Sequence, residues 1–308
     1  MSQRLRPVLG CSPANGLLRK TLIPMVGALC LLSGAWIRPT QAPEPRLELL
    51  DLSPDAGARE KLPRVLEEIS GLATTPDGRL FTHNDERAVV YQIDPDSGEV
   101  IKAFSVGALG IPGDFEGIAV AGDQFFLLTS AGQVLEFQEG AGGRTVAYRT
   151  HSLGLGSRCE TEGLAFDEAT GALLVPCKTP REKDLRGHLV VFSVPVNTMR
   201  PDLMPRVFLP LDDLDERGLG DEFHPSAIEV HPQTRSLILV SAREEALVEL
   251  SPYGEILATK ELKRKDHPQP EGLAFLPDGS LVLADEGQGK RGTLTRYHRK
   301  EPEGGGDR

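Results

Sequence analysis

From Glu68 onward the chain repeats one pattern of apolar and polar positions. Five segments carry it: "EISGLATTPDGRLFTHND" from Glu68, "DFEGIAVAGDQFFLLTSAG" from Asp114, "ETEGLAFDEATGALLVPCK" from Glu160, "HPSAIEVHPQTRSLILVSARE" from His224 and "QPEGLAFLPDGSLVLADEG" from Gln269. Each has a small residue, a short alternating apolar run, a turn and a second apolar run. Period-two alternation bounded by turns predicts a β-hairpin. Pro76-Asp77-Gly78 and Pro277-Asp278-Gly279 have the turn chemistry, since proline presets φ and glycine accepts positive φ. Further runs, such as "AVVYQIDP" then "EVIKAFSV", predict a third and a fourth strand. Helix should be slight, because no segment sustains a 3.6-residue period with caps.

The anchor residues Gly71, Gly117, Gly163, Ala227 and Gly272 are 46, 46, 64 and 45 positions apart. A repeat of that length with four strands is the signature of a β-propeller blade. The expected fold is therefore all-β, a single propeller of five four-stranded blades over residues 43–299. The long third interval holds the insertion "NTMRPDLMPRVFLPLDDLDERGLGDEF", and a sixth, degenerate blade hidden there is the alternative. The last copy stops one strand short after "GTLTRYH". The segment "PRLELLDLS" near residue 50 is expected to supply that strand and close the ring.

Charge then narrows the partners. The chain carries 34 Lys and Arg against 45 Asp and Glu. Residues 1 to 42 contain Arg4, Arg6, Arg19, Lys20 and Arg38 and no acid, which leaves 29 bases, 45 acids and a charge of -16 for the rest. So acidic a body excludes a nucleic-acid binder, which needs basic surface to displace counterions. The uncharged stretch "TLIPMVGALCLLSGAWI" follows Arg19-Lys20 and reads as a secretory signal peptide ending near Ala42. An uncleaved membrane anchor is the alternative, and would be the only membrane contact. Cys30 follows Leu29 rather than the small residue that a lipid-attachment site wants. The periplasm or the outside of the cell is the expected location. The tail from Lys300, "KEPEGGGDR", is expected to be disordered.

Export bears on the two remaining cysteines, Cys159 and Cys177, because an oxidising compartment permits pairing. A hairpin turning at Glu168–Gly171 puts Cys177 opposite Glu162 and leaves Cys159 about three residues, roughly 10 Å, beyond. A bridge then requires the entering chain to fold back, and two separate buried thiols are equally open.

The repeat also gathers carboxylates. In each hairpin the start of the first strand and the end of the second share one end. Just before the anchors stand Ser70, Glu116, Glu162, Ser226 and Glu271; three before them stand Glu68, Asp114, Glu160, His224 and Gln269. The second strands end in "HNDE" (His83–Glu86), "TSAG", "CK", "ARE" and "ADEG". Five-fold closure brings these groups around one axial opening, where a like-charged pair at about 6 Å costs roughly 3 kcal/mol. The ring must take up protons, basic side chains or a cation, and Lys178 and Arg243 are the few bases in the set. Oxygen ligands of mixed kind suit a hard divalent cation, calcium above all. Each Glu before a Gly could instead simply accept backbone N–H bonds at a crowded rim. His224 reads as a loop histidine, and the insertion acids Asp212, Asp213, Asp215, Glu216, Asp221 and Glu222 as solvated.

These motifs, "EISGL", "DFEGIAV", "ETEGLAF", "HPSAI" and "QPEGLAF", resemble the SdiA-regulated, YjiK-like family of bacterial exported propellers over residues 46–298. The resemblance implies five blades, a calcium site and no settled activity. It places metal contacts among Glu68, Asn84, Asp85, Glu116, Glu162 and Glu271. Three functions compete. One is a calcium-stabilised, monomeric, non-enzymatic module that binds a small molecule or an envelope protein. Another is a metal-dependent hydrolase (esterase, lactonase or phosphatase-like) with Glu162 or Asp285 handling the proton. The third is a scaffold without metal. The chain has no "GxSxG" elbow, no histidine pair at metal spacing and no phosphate-gripping basic cluster near these acids, which weighs against the hydrolase.

Overall fold

The computed structural model describes residues 47–53 and 56–300; the leader, with Cys30 and Trp36, and residues 301–308 of the tail lie outside them. Among the described residues there are five sheets of antiparallel strands, each a blade of a propeller. Blade one runs through Ile69–Thr74, Leu80–Asn84, Val89–Ile93 and Val100–Val106, with the short Thr145–Val146 added in parallel at its edge. Blade two consists of Phe115–Ala121, Gln124–Thr129, Gln133–Gln138 and Tyr148–Ser152. In blade three the first strand is broken into Cys159–Thr161 and Ala165–Asp167, both paired with Ala172–Pro180, and His188–Pro195 and Val207–Pro210 follow. Blade four has Ala227–Val230, Leu237–Ser241, Ala246–Leu250 and Ile256–Glu261. Blade five is completed by Pro270–Phe275, Leu281–Asp285 and Thr293–Tyr297.

Three expectations need correcting. The insertion holds no sixth blade: its "RVFLP" becomes the outer strand of blade three, Val207–Pro210, followed by the one-turn helix Asp212–Asp215 with Leu214 buried and the acids exposed. The ring does close with an N-terminal strand on blade five, but that strand is Ala58–Lys61, paired antiparallel with Thr293–Tyr297. Its sequence, "AREK", is exposed along its length and has no apolar face to reveal it. The "LELL" expected in that role forms a 3-10 turn, with Leu47 and Leu50 packed between blades four and five and Leu50 bridged to Arg299. Lys300, assigned to a disordered tail, is held there too, donating its backbone N–H to Leu49 O and its ammonium to Glu48 O, at 2.8 and 2.7 Å.

The core lies between blades, in five apolar clusters, one for each gap in the ring. Because a blade has a neighbour on both faces, its middle strands lose the in–out alternation of a half-exposed sheet and read as continuous apolar runs. "LILVS", "ALVEL" and "LVLAD" are buried at every position. The first strands crowd the axis. A Cβ on Gly117 would stand 2.7 Å from Leu164 N and 2.8 Å from the Gly163 carbonyl carbon, so the glycine there is a requirement of close approach. Gly163 N donates to Glu116 O at 2.6 Å across the same contact.

Cys159 and Cys177 form a disulfide, with Cα atoms 5.7 Å apart. Pairing puts Cys177 opposite Thr161, not Glu162, and Cys159 opposite Pro180, still three positions past Cys177. The entering chain must therefore fold back, and it is irregular at the bulge between Glu160 and Thr161.

Candidate functional site

One residue past each anchor stand Leu72, Ile118, Leu164, Ile228 and Leu273, all buried. They crowd the axis, leaving a cavity of only about 10 Å³, room for about one water molecule. The channel is thus an apolar plug, and its acidic residues gather at one mouth. Register puts them there as expected: Asn84 lies opposite Ile69, Thr129 opposite Phe115 and Asp285 opposite Pro270.

Among the residues just before the anchors, Ser70 and Ser226 are buried, and Ser226 Oγ donates to Pro270 O at 2.6 Å. Glu116, Glu162 and Glu271 act on one another electrostatically. Burial raises the Glu116 carboxyl to about 8, helped by Asp114 and Glu271 and opposed by Lys178. Burial pushes Glu162 well up, with Glu116 adding to the effect and Lys178 again opposing. Glu271 rises to about 7, chiefly by burial, although Gln269 Nε2 donates to its Oε1 at 2.7 Å and favours the anion.

Lys178, at the end of blade three's second strand, forms an ion pair with Glu162. Burial would lower its ammonium, but Glu162, Glu116 and Glu271 hold it above the ordinary lysine range. Part of the charge problem posed by the ring is therefore solved internally, by a base rather than by a metal.

Toward blades one and five, no base among the described residues forms an ion pair with the acids of the mouth, although Lys178 acts on Glu271 and Glu286 from a distance. Burial and then Asp85, Glu86 and Glu67 raise Glu68. Asp85 is raised by burial, with Glu86 and Asp114 adding to it. Glu286, absent from the expected set, is raised by burial and by Asp85 and Glu68. Asn84 Oδ1 and Asp85 Oδ1 are buried without a hydrogen-bond partner, while Asn84 Nδ2 donates to Val65 O at 3.3 Å. A buried acceptor with no donor is costly and calls for a ligand or ion. All six expected residues thus lie at this mouth or beside it, but in two groups: Glu116 and Glu162 against Lys178, and Glu68, Asn84, Asp85 and Glu271 on the other side with Glu286.

Two clusters were not foreseen. His267, fully buried, links Asp285 Oδ2 (2.8 Å from Nδ1) to the Tyr297 hydroxyl (2.6 Å from Nε2), tying the second and third strands of blade five to the loop before its first. This removes Asp285 from the mouth as a free base. His224, Glu222 and Glu244 offer atoms within 4.8 Å of one another. There Glu244 already takes His224 Nδ1 at 2.9 Å, His224 N and the Ser241 hydroxyl, and Arg243 covers Glu222 at 3.1 Å. No helix among the described residues is long and apolar enough to cross a membrane.

Residues 211–300 match the SdiA-regulated family. No curated protein matches the chain. Among solved structures, Myxococcus xanthus glutaminyl cyclase superposes with a TM-score of 0.53 at 14% identity, over 79% of this chain and 95% of that one. The PQQ-bound aldose sugar dehydrogenase of Streptomyces coelicolor gives 0.50 at 14% identity, over 80% of this chain and 100% of that one. At such identity the likeness is one of fold.

Proposed function

We propose that the protein is an exported, calcium-stabilised propeller that works as a binding module rather than an enzyme. The single observation that carries the calcium reading is the pair of buried, unpartnered oxygens, Asn84 Oδ1 and Asp85 Oδ1, set among raised carboxyls. Carboxylate and amide oxygens are the donors that calcium prefers. Asn84, Asp85, Glu68, Glu271 and Glu286 would hold the ion, and its charge would stabilise the anionic forms that burial now disfavours. Glu116 and Glu162, facing Lys178, would serve mainly to seat that lysine. The disulfide and the basic, then apolar, leader support export. The plugged axis leaves no room for a substrate inside the channel, and Asp285 is engaged by His267, which weighs against the hydrolase.

Thermal unfolding with calcium and with EDTA tests the reading. Calcium at 100 times its Kd should add about 2.7 kcal/mol of stability by mass action. Asp85→Asn with Glu271→Gln should remove most of that response, whereas an undiminished shift in the double variant would overturn the assignment. Exported, processed protein should also lack the emission of Trp36, the only tryptophan.

A further inference from the structure

Two residues past the anchors the repeat is nearly constant. Blades one, two, three and five carry Ala73, Ala119, Ala165 and Ala274, all buried, while blade four carries Glu229. The next position along each first strand is Thr74, Val120, Phe166, Val230 or Phe275. All five line a cavity of about 530 Å³, reached at the opposite ends of these strands from the acidic mouth. The apolar side chains of Val120, Phe166, Val230, Phe275 and Leu276, with three prolines, form most of its wall. That size and lining match a small-molecule site.

Glu229 also lines the cavity. Its one described side-chain hydrogen bond comes from Val230 N, at 2.7 Å, and no ion pair to it is found among the described residues. The other charged or titratable groups of the cavity do not serve it. Arg235 is 3.2 Å from Asp167, which Arg206 also approaches; Glu168 is exposed; His231 Nδ1 accepts the backbone N–H groups of Gln233 and Thr234. An acid thus replaces the fifth alanine at the base of an apolar bowl, and no countercharge meets it among the described residues.

We propose that this bowl is a second ligand site, specific for a small organic ammonium with an apolar or aromatic body. The ammonium pairs with Glu229, and the body packs against Phe166 and Phe275, whose ring faces also attract cations. Without such a ligand, burial raises the Glu229 carboxyl to about 8. Binding therefore expels a proton below that pH, since the carboxyl must ionise to make the pair.

Tryptamine, with tryptophol as its uncharged counterpart, is a suitable probe, followed by calorimetry in buffers of different ionisation enthalpy. Tryptamine should bind the full chain at least tenfold more tightly than tryptophol. Its affinity should rise roughly tenfold per pH unit up to about 8, with close to one proton released at pH 6.5. Glu229→Gln should abolish the preference, the pH slope and the proton release together. Glu229→Ala, which restores the residue of the other four blades and so should fold, should do the same. Equal binding of amine and alcohol, no binding of either, or a slope that survives Glu229→Gln would overturn the proposal.

Discussion

Lys178 and Glu162 form an ion pair at the mouth of the channel, the lysine one residue beyond the disulfide-bonded Cys177 and the glutamate just before the anchor Gly163. A single ammonium there tempers Glu116, Glu162, Glu271 and Glu286. Replacing it with an apolar side chain leaves a buried carboxylate without its countercharge. Lys178→Met should cost about 1–3 kcal/mol at an alkaline pH where Glu162 is ionised and less at an acid pH where that raised carboxyl takes up its proton. Urea unfolding at the two pH values measures this, and a loss that does not depend on pH would show that Lys178 acts through packing alone.

The buried titrating groups oppose one another. Glu116, Glu229 and Glu271 keep their protons to about 8, 8 and 7, against an ordinary 4.5. The folded chain therefore binds more protons than the unfolded one across that interval. Their contribution is complete below about pH 4.5 and is lost as pH rises toward 8. His83 works the other way. Burial lowers it to about 4 from 6.5, so the unfolded chain takes up its proton first and stability falls as pH drops from 6.5 toward 4. With three acids against one histidine, calcium-free protein should lose on the order of a few kcal/mol between pH 5 and 8. The triple Gln variant should shrink that limb in chemical-denaturation curves, leaving the part due to Glu162 and its raised neighbours together with the acid-side loss due to His83.

The disulfide joins residues 18 apart in sequence. A loop of that size restricts the unfolded chain enough to add about 3 kcal/mol. Thiol reductant, or Cys159→Ser with Cys177→Ser, should lower the melting temperature accordingly. Because the bridge clamps the strand segment leading to Glu162, the reduced protein should also show a weaker coupling between Lys178 and pH. An unchanged melting temperature would mean that the bridge adds nothing to folding.

Close approach at the axis makes a contrast between two glycines. Gly117→Ala drives a methyl into the backbone of blade three and should cost about 1–3 kcal/mol. Gly122 has φ +64° but open space around it, so Gly122→Ala should cost about 1 kcal/mol or less, from backbone strain alone. Equilibrium unfolding of both variants decides the matter, and a reversed order would refute the crowded axis.

The blades were legible because each contributes the same hairpin to the same place, so anchor spacing alone counts them. Ala58–Lys61 was not, since an exposed edge strand needs no apolar pattern and "AREK" has none. The Cys159–Cys177 pairing spans three register positions and needs the strand to bend near Glu160/Thr161, which residue spacing cannot convey. The acids before the anchors pointed to the mouth, yet their division into two groups turns on the direct ion pair that Lys178 makes with Glu162. Glu286 stood at the rim in the "ADEG" that ends the last hairpin, but outside the set of metal contacts that the family resemblance implied. Glu229 breaks a row of alanines, but nothing in the sequence singled it out, because the cavity it lines is formed only when the five first strands come together.

Blade five is sewn from both directions, its inner strands late in the chain and its outermost, Ala58–Lys61, early. A ribosome delivering this polypeptide must reach Tyr297 before that early strand has anything to pair with. Until then the ring stands open with two raw edges, and chaperones or a neighbouring nascent copy have their best chance to seize it. Loss of only the final strand, Thr293–Tyr297, should therefore unseat residues more than two hundred positions upstream.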